Sequence, residues 1–140
     1  MDDIEVTFPG GKRVDARVGA HVIHTDQPVE AGGEGAAVAP FDLFMASLAT
    51  CAGLYVLGFC QARGLSTVGL ALRQHVDIDP TTKLPSRIRI EVRLPAGFPE
   101  KYRAAVGRAA EGCKVKKTIA SAPAIEVAIA QSDALLSQAS

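Results

Sequence analysis

Three cysteines, Cys51, Cys60 and Cys113, and three histidines, His21, His24 and His75, are the side chains in this sequence best suited to chemistry near neutral pH. A thiolate attacks peroxides and disulfides or binds a soft metal; an imidazole binds metal or moves a proton. An odd cysteine count argues against a structural disulfide framework, so any pair that does form reads as redox chemistry. Two of the thiols share the stretch 40–63. At about 100° per residue, Phe44, Cys51 and Gly58 fall within about 20° of one line, and Cys60 falls about 180° from Cys51. Those two cannot bond within one straight helix, and Cys60 reads as a small buried hydrophobe. Around Cys51 the sequence places hydroxyls at Ser47, Thr50 and Tyr55, and Gly53 and Gly58 permit close approach of another backbone. Those residues alone leave Cys51 open between a structural and a reactive role. His21 and His24, three apart on a strand, point to opposite sides, which opposes a two-histidine metal site, and His75 falls on the wet face of its strand. No metal or other cofactor is implied.

The element that must position Cys51 is 40–63, which carries no formal charge between Asp42 and Arg63. Pro40 suits a first helical turn, Asp42 complements the positive helix end, and Gly64 after Arg63 is a stop signal. Roughly 23 residues at about 1.5 Å each give ~35 Å, enough to cross a bilayer. Ser47, Thr50, Gln61, the glycines at 53 and 58, and the lack of basic clusters at either flank favour a central helix wrapped by sheet.

Before this helix, Ile4-Glu5-Val6-Thr7-Phe8, Arg13-Val14-Asp15-Ala16-Arg17-Val18 and Ala20-His21-Val22-Ile23-His24 read as an antiparallel meander broken at Pro9-Gly10-Gly11 and Gly19. The glycine-rich segment 31–37 reads as a mobile loop, because a nucleotide-binding turn needs a third glycine where Val38 stands. After the helix, Val68-Leu70-Leu72-Gln74-Val76-Ile78 alternates with polar neighbours, Asp79-Pro80-Thr81-Thr82 turns the chain, and Ile88-Ile90-Val92-Leu94 returns antiparallel. A helix is expected from Pro99 to Gly112, a short one over 114–121, a last strand at Ile125-Glu126-Val127-Ala128-Ile129, and a helical or frayed tail over 132–140.

At 140 residues one domain, 1–140, is expected, α+β in class and able to fold without metal or disulfide staples. Fifteen basic and fifteen acidic side chains cancel, so no basic field is available for nucleic acid or an anionic membrane. Met-Asp-Asp-Ile-Glu lacks the basic and apolar regions of a signal peptide, which makes the cytoplasm the expected location and free thiols the starting state.

Pro40-Phe41-Asp42-Leu43-Phe44, Ser47-Leu48-Ala49-Thr50-Cys51, the long hairpin ending at Leu94-Pro95, and Cys113-Lys114-Val115 before Thr118-Ile119 together resemble the OsmC/Ohr family of hydroperoxide-defence proteins, in order and over nearly the whole chain. The resemblance implies an intertwined homodimer whose two central helices are wrapped by antiparallel sheets, with sites at the subunit interface. It also implies a thiol peroxidase. Cys51 attacks an organic hydroperoxide and becomes a sulfenic acid, Cys113 condenses with it to a disulfide, and an external dithiol reductant resets the pair.

An apolar surround raises a thiol's pKa, so a cation or donor beside Cys51 is required. Family members supply an arginine from the N-terminal strands and a glutamate at the start of the central helix. Here the glutamate position holds Phe41 in one motif form; in the other, closer to the YhfA-like branch, it holds Asp42, which helix geometry points away from Cys51. Arg13 and Arg17, on one face of a strand, are candidates for the cation, with His21 or His24 as substitutes. The departure at Phe41 keeps an alternative open: a dimer of this fold without peroxidase activity, which binds a small apolar ligand or senses redox state.

Overall fold

Two antiparallel sheets flank the long helix in sequence, and two short helices follow them; the computed structural model describes residues 1–130, so the expected tail over 132–140 lies outside the described residues. Strands β1 (Ile4–Gly10), β2 (Arg13–Val18) and β3 (His21–Thr25) form the N-terminal meander in the order β1-β2-β3. Its two hairpins turn on Gly11 and Gly19, whose φ values of 58° and 57° lie where a Cβ is disfavoured. Ile4, Val6 and Phe8 alternate on β1, all exposed, so an apolar face of this sheet is uncovered.

The segment after β3 differs from the mobile loop expected of it. Asp26, 1% exposed, is its hub. One carboxylate oxygen accepts from the Gln27 N–H (2.8 Å), and the other from the N–H groups of Glu34 (3.2 Å) and Ala36 (3.1 Å). The chain closes so tightly that a Cβ at Gly33 would collide with the Gln27 carbonyl, which explains a glycine there. A 3₁₀ turn at Val29–Ala31 and the Arg13–Glu34 ion pair (2.8 Å) complete the loop.

Helix α1 (Pro40–Ala62) begins with proline in its first turn, after an extended Ala39, with Asp42 near its positive end. It ends as the Arg63 N–H bonds back to the Cys60 carbonyl, the Gly64 N–H bonds back to the Gln61 carbonyl, and Gly64 turns left-handed (φ 62°). By length and a mean hydropathy of 1.9 it could cross a membrane, a test that core helices also pass. Its burial is a stripe of Met45, Leu48, Ala52, Val56 and Cys60, spaced three or four apart as one helical face requires. Phe41, Phe44, Leu54 and Tyr55 stay exposed, so within one chain α1 is covered on one side rather than all round.

Strands β4 (Ala71–Ile78) and β5 (Pro85–Arg93) supply part of that cover. Leu72↔Val92, Gln74↔Ile90 and Val76↔Ile88 face inward, and Arg73↔Glu91, His75↔Arg89 and Asp77↔Arg87 face out. Gln74 reaches across from β4 and donates through Nε2 to the Met45 carbonyl at 2.9 Å. The strand starts later than the alternation predicts because Gly69 takes φ 84° and the Leu70 N–H bonds back to Thr67, making 68–70 a turn.

After Pro99 a 3₁₀ turn (Glu100–Tyr102) leads into α2 (Arg103–Glu111), the main neighbour of α1, and then α3 (Lys114–Ala120). The Arg63 guanidinium stacks 3.6 Å over the Phe59 ring, and Phe59 meets Tyr102 edge-on at 5.8 Å, joining the end of α1 to the start of α2. The last expected strand is not formed. Ile125, Val127 and Ile129 are 86–96% exposed, and among the described residues no sheet edge pairs with them.

The N–H donors of Ala36, Gln27 and Glu34 hold the Asp26 carboxyl below the usual carboxylate range, against the opposing effect of burial. A depressed folded pKa means that the stabilisation is complete above the usual carboxylate range and is lost as pH falls through the depressed value. Protection factors for hydrogen exchange at Glu34 and Ala36, taken against the intrinsic rate at each pH, should therefore fall only in acid in the native chain. In Asp26→Asn, which cannot accept from all three donors, those amides should be poorly protected at neutral pH as well.

Candidate active site

Cys51 and Cys113 meet where α1 passes the junction of α2 and α3. Leu48, Ala52 and Cys113 form one buried cluster, with Cys51, Leu72, Ile88, Ile90 and Val115 packed against it. Cys51 is half-buried on α1, and Cys113 is wholly buried; both are free thiols. Local sequence explains the seat of Cys113. Gly112 ends α2, and the ring of Tyr55 lies where it would come within 3.5 Å of a Cβ at that glycine. Cys113 then turns the chain (φ −51°, ψ 127°) and caps α3, its Sγ accepting from the Lys116 N–H at 3.5 Å. The same sulfur lies 3.9 Å from the Leu48 carbonyl, an acceptor for its S–H.

This arrangement gives the two thiols unequal proton affinity. The Val115 N–H, first in importance, then the Cys113 side chain, the Lys114 N–H and the Lys114 ammonium all favour the anion at Cys51; burial opposes them, and the net shift is below the ordinary thiol range. Cys113 shifts upward, first because burial disfavours its anion and also because its S–H serves as donor to Cys51. One S–H cannot donate to Leu48 and Cys51 together. An ionised Cys51 is the stronger acceptor of the two. The pair therefore sets a thiol whose anion is favoured beside one whose anion is disfavoured.

Several residues expected near Cys51 are engaged elsewhere. Arg13 is paired with Glu34, Arg17 is exposed on β2 opposite Glu5 and Val22, and Asp42 is exposed in the first turn of α1. None of them is among the groups that weigh most on the Cys51 charge. His24 bonds Asp15 (2.8 Å), His21 is exposed, and exposed His75 lies 3.8 Å from Glu91. Ser47 and Thr50 spend their hydroxyls on the Phe44 and Ala46 carbonyls of their own helix. Of the two glycines, Gly53 comes close to Leu72, and Gly58 faces open space. What residue-type reasoning missed is the donor set at the start of α3. The only signal for it was Cys113 immediately after a helix-ending glycine. Among the described residues no group of histidine, cysteine and acidic side chains could hold a metal ion.

The asymmetry is measurable. As pH is lowered through neutrality, alkylation by iodoacetamide should persist at Cys51 and vanish early at Cys113, read by peptide mass spectrometry. Lys114→Pro removes one N–H and the ammonium while suiting a first helical turn preceded by an extended residue. It should move the Cys51 reactivity profile to higher pH without lowering the melting temperature appreciably.

With fold and site in view, the comparisons are consistent with one another. The family model described as OsmC-like protein matches residues 32–128. A Psychrobacter arcticus protein described as an osmotic stress induced and detoxification response protein shares 24% identity at a TM-score of 0.72, over 84% of this chain and 88% of that one. A Legionella pneumophila organic hydroperoxide resistance protein OsmC shares 22% at 0.52, over 85% and 90%. A Vibrio cholerae organic hydroperoxide resistance protein, solved with captopril in one of its active sites, shares 21% at 0.53, over 85% of each chain. Curated protein sequences gave no match. These structures share the α+β fold of antiparallel sheets and a long helix, and the chain belongs to the OsmC-like protein family.

Proposed function

We propose that this chain is a thiol peroxidase for organic hydroperoxides, acting in oxidative-stress defence in the cytoplasm. The observation that carries the reading is the pair itself: a half-buried Cys51 with its anion favoured, against a buried Cys113 kept protonated. The organic hydroperoxide resistance proteins of similar fold support the substrate class.

The Cys51 thiolate attacks the distal oxygen of ROOH. An S–O bond forms, the O–O bond breaks, and the alkoxide takes a proton and leaves as ROH, so that Cys51 is oxidised to the sulfenic acid. The Cys113 sulfur then displaces hydroxide from the Cys51 sulfur, with the Cys113 proton completing a water. The resulting disulfide returns to two thiols at the expense of an external dithiol, itself oxidised to a disulfide. Donors from the start of α3 hold the anion without an arginine. The exposed aromatics Phe41, Phe44 and Tyr55 on α1 suit an alkyl group better than hydrogen peroxide.

The unit that works is a homodimer. Three uncovered apolar surfaces call for one partner: the outer face of α1, the Ile4-Val6-Phe8 face of β1, and the strand-like residues Ile125, Val127 and Ile129. A second copy covers them all by symmetry. Lipid could cover α1 but leaves the strand edges unpaired. Nucleic acid is not a partner of a chain with zero formal net charge.

Two experiments bear on this. One equivalent of cumene hydroperoxide, followed by non-reducing mass spectrometry, should show loss of two protons mapped to Cys51–Cys113. Turnover with a dithiol should disappear in Cys51→Ser, and Cys113→Ser should stop at a dimedone-reactive sulfenic acid. A disulfide without turnover by any dithiol would instead indicate a redox sensor. Separately, light scattering should report a dimer for the native chain, shifted toward monomer by Phe44→Glu combined with Leu54→Glu.

A further inference from the structure

A second feature lies on the Cys113 side of α1: a cleft of about 570 Å³ between α1, β5 and the α2–α3 pair. This is within the ~300–1,000 Å³ range of small-molecule sites. Its walls are Leu48, Ala52, Ile88, Ile90, Val92 and Ile119, and Cys51 is not among its lining residues. The α2 wall is Ala104, Gly107, Arg108 and Glu111, one helical face on which the first two residues are too small to fill the space. A Cβ at Gly107 would meet nothing within 4 Å, so the glycine there is not imposed by packing within the chain. Among its charged lining residues, Glu111 is paired with Lys116, whereas Arg108 has no carboxylate partner among the described residues.

We propose that this cleft binds an amphiphilic carboxylate, a fatty acid, with its carboxylate on Arg108 and its chain along the β5 side chains toward Leu48 and Ala52. Charge selects the occupant: a largely apolar slot with one unpaired guanidinium in its lining matches an anionic head on an alkyl tail, and a planar carboxylate suits the guanidinium fork. A neutral lipid would leave that cation unused. Binding needs no thiol chemistry, so it stands or falls separately from the peroxidase reading.

Laurate and dodecanol, each below its aggregation threshold, are the probes, followed by calorimetry on the full chain. Laurate should bind saturably, with one molecule to each chain, and about tenfold more tightly than dodecanol, the scale of a charge-assisted hydrogen bond. Arg108→Gln should remove that preference. Gly107→Leu should abolish both with an unchanged melting curve, and Ile119→Glu provides a second blocked cleft should the leucine disturb α2. Cys51→Ser should bind as the native chain does. Equal affinity for laurate and dodecanol, retained binding in both folded blocked variants, or no saturable binding would overturn the proposal. So would laurate splitting the dimer, which would make the cleft an interface between copies.

Discussion

The burial of the Cys113 thiol against Leu48 and Ala52 is the contact on which the site depends. A sulfur that is wholly buried and also caps α3 fixes two things together: how far α3 stands from α1, and which way its first N–H groups point. Those groups then reach Cys51. The donor that lowers the Cys51 proton affinity most is the Val115 N–H, and Val115 owes its position to the turn at Cys113. The first stabilisation of the Cys51 anion thus comes from backbone, held in place by the neighbouring buried thiol.

Within one chain, the groups that weigh most on the Cys51 charge come from Cys113 and the start of α3, and Arg13, Arg17 and Asp42 are not among them. A guanidinium works through long-range charge and tolerates variable placement; a peptide N–H works only at hydrogen-bond range. The backbone solution therefore demands tighter packing around the pair. Gly112 and Tyr55 supply it on one side and Ala52 on the other, each small or flat where the helices approach.

Much of the scaffold was legible because it is written in local patterns. Pro40, Asp42 and Gly64 bound α1, and the alternation through 71–78 and 88–93 gives the hairpin, since periodicity and end signals act within a few residues. The pairing of Cys51 with Cys113 was legible only through family motifs, because helix geometry could separate Cys51 from Cys60 but could not bring α3 to α1. The donors to Cys51 were not legible at all, as every residue type carries the same N–H. Asp26 was missed for a related reason. Its partners belong to Gln27, Glu34 and Ala36, and only closure of the loop makes them neighbours.

The uncharged character of α1 carried two meanings that the sequence could not separate. One stripe, Met45 to Cys60, is apolar because its own chain buries it; the other, Phe41 to Tyr55, is apolar although its own chain does not. A helix selected only for an internal core would carry charge on that second face, as β4 and β5 do on theirs with Arg73, Asp77, Arg87 and Glu91. The contrast within one chain shows that polar residues were available wherever a surface stays wet. The bare face of α1, the bare face of β1 and the unpaired Ile125-Val127-Ile129 run therefore share one cause. Each is an apolar surface that the described residues leave uncovered, and Cys51 sits on the helix that carries one of them.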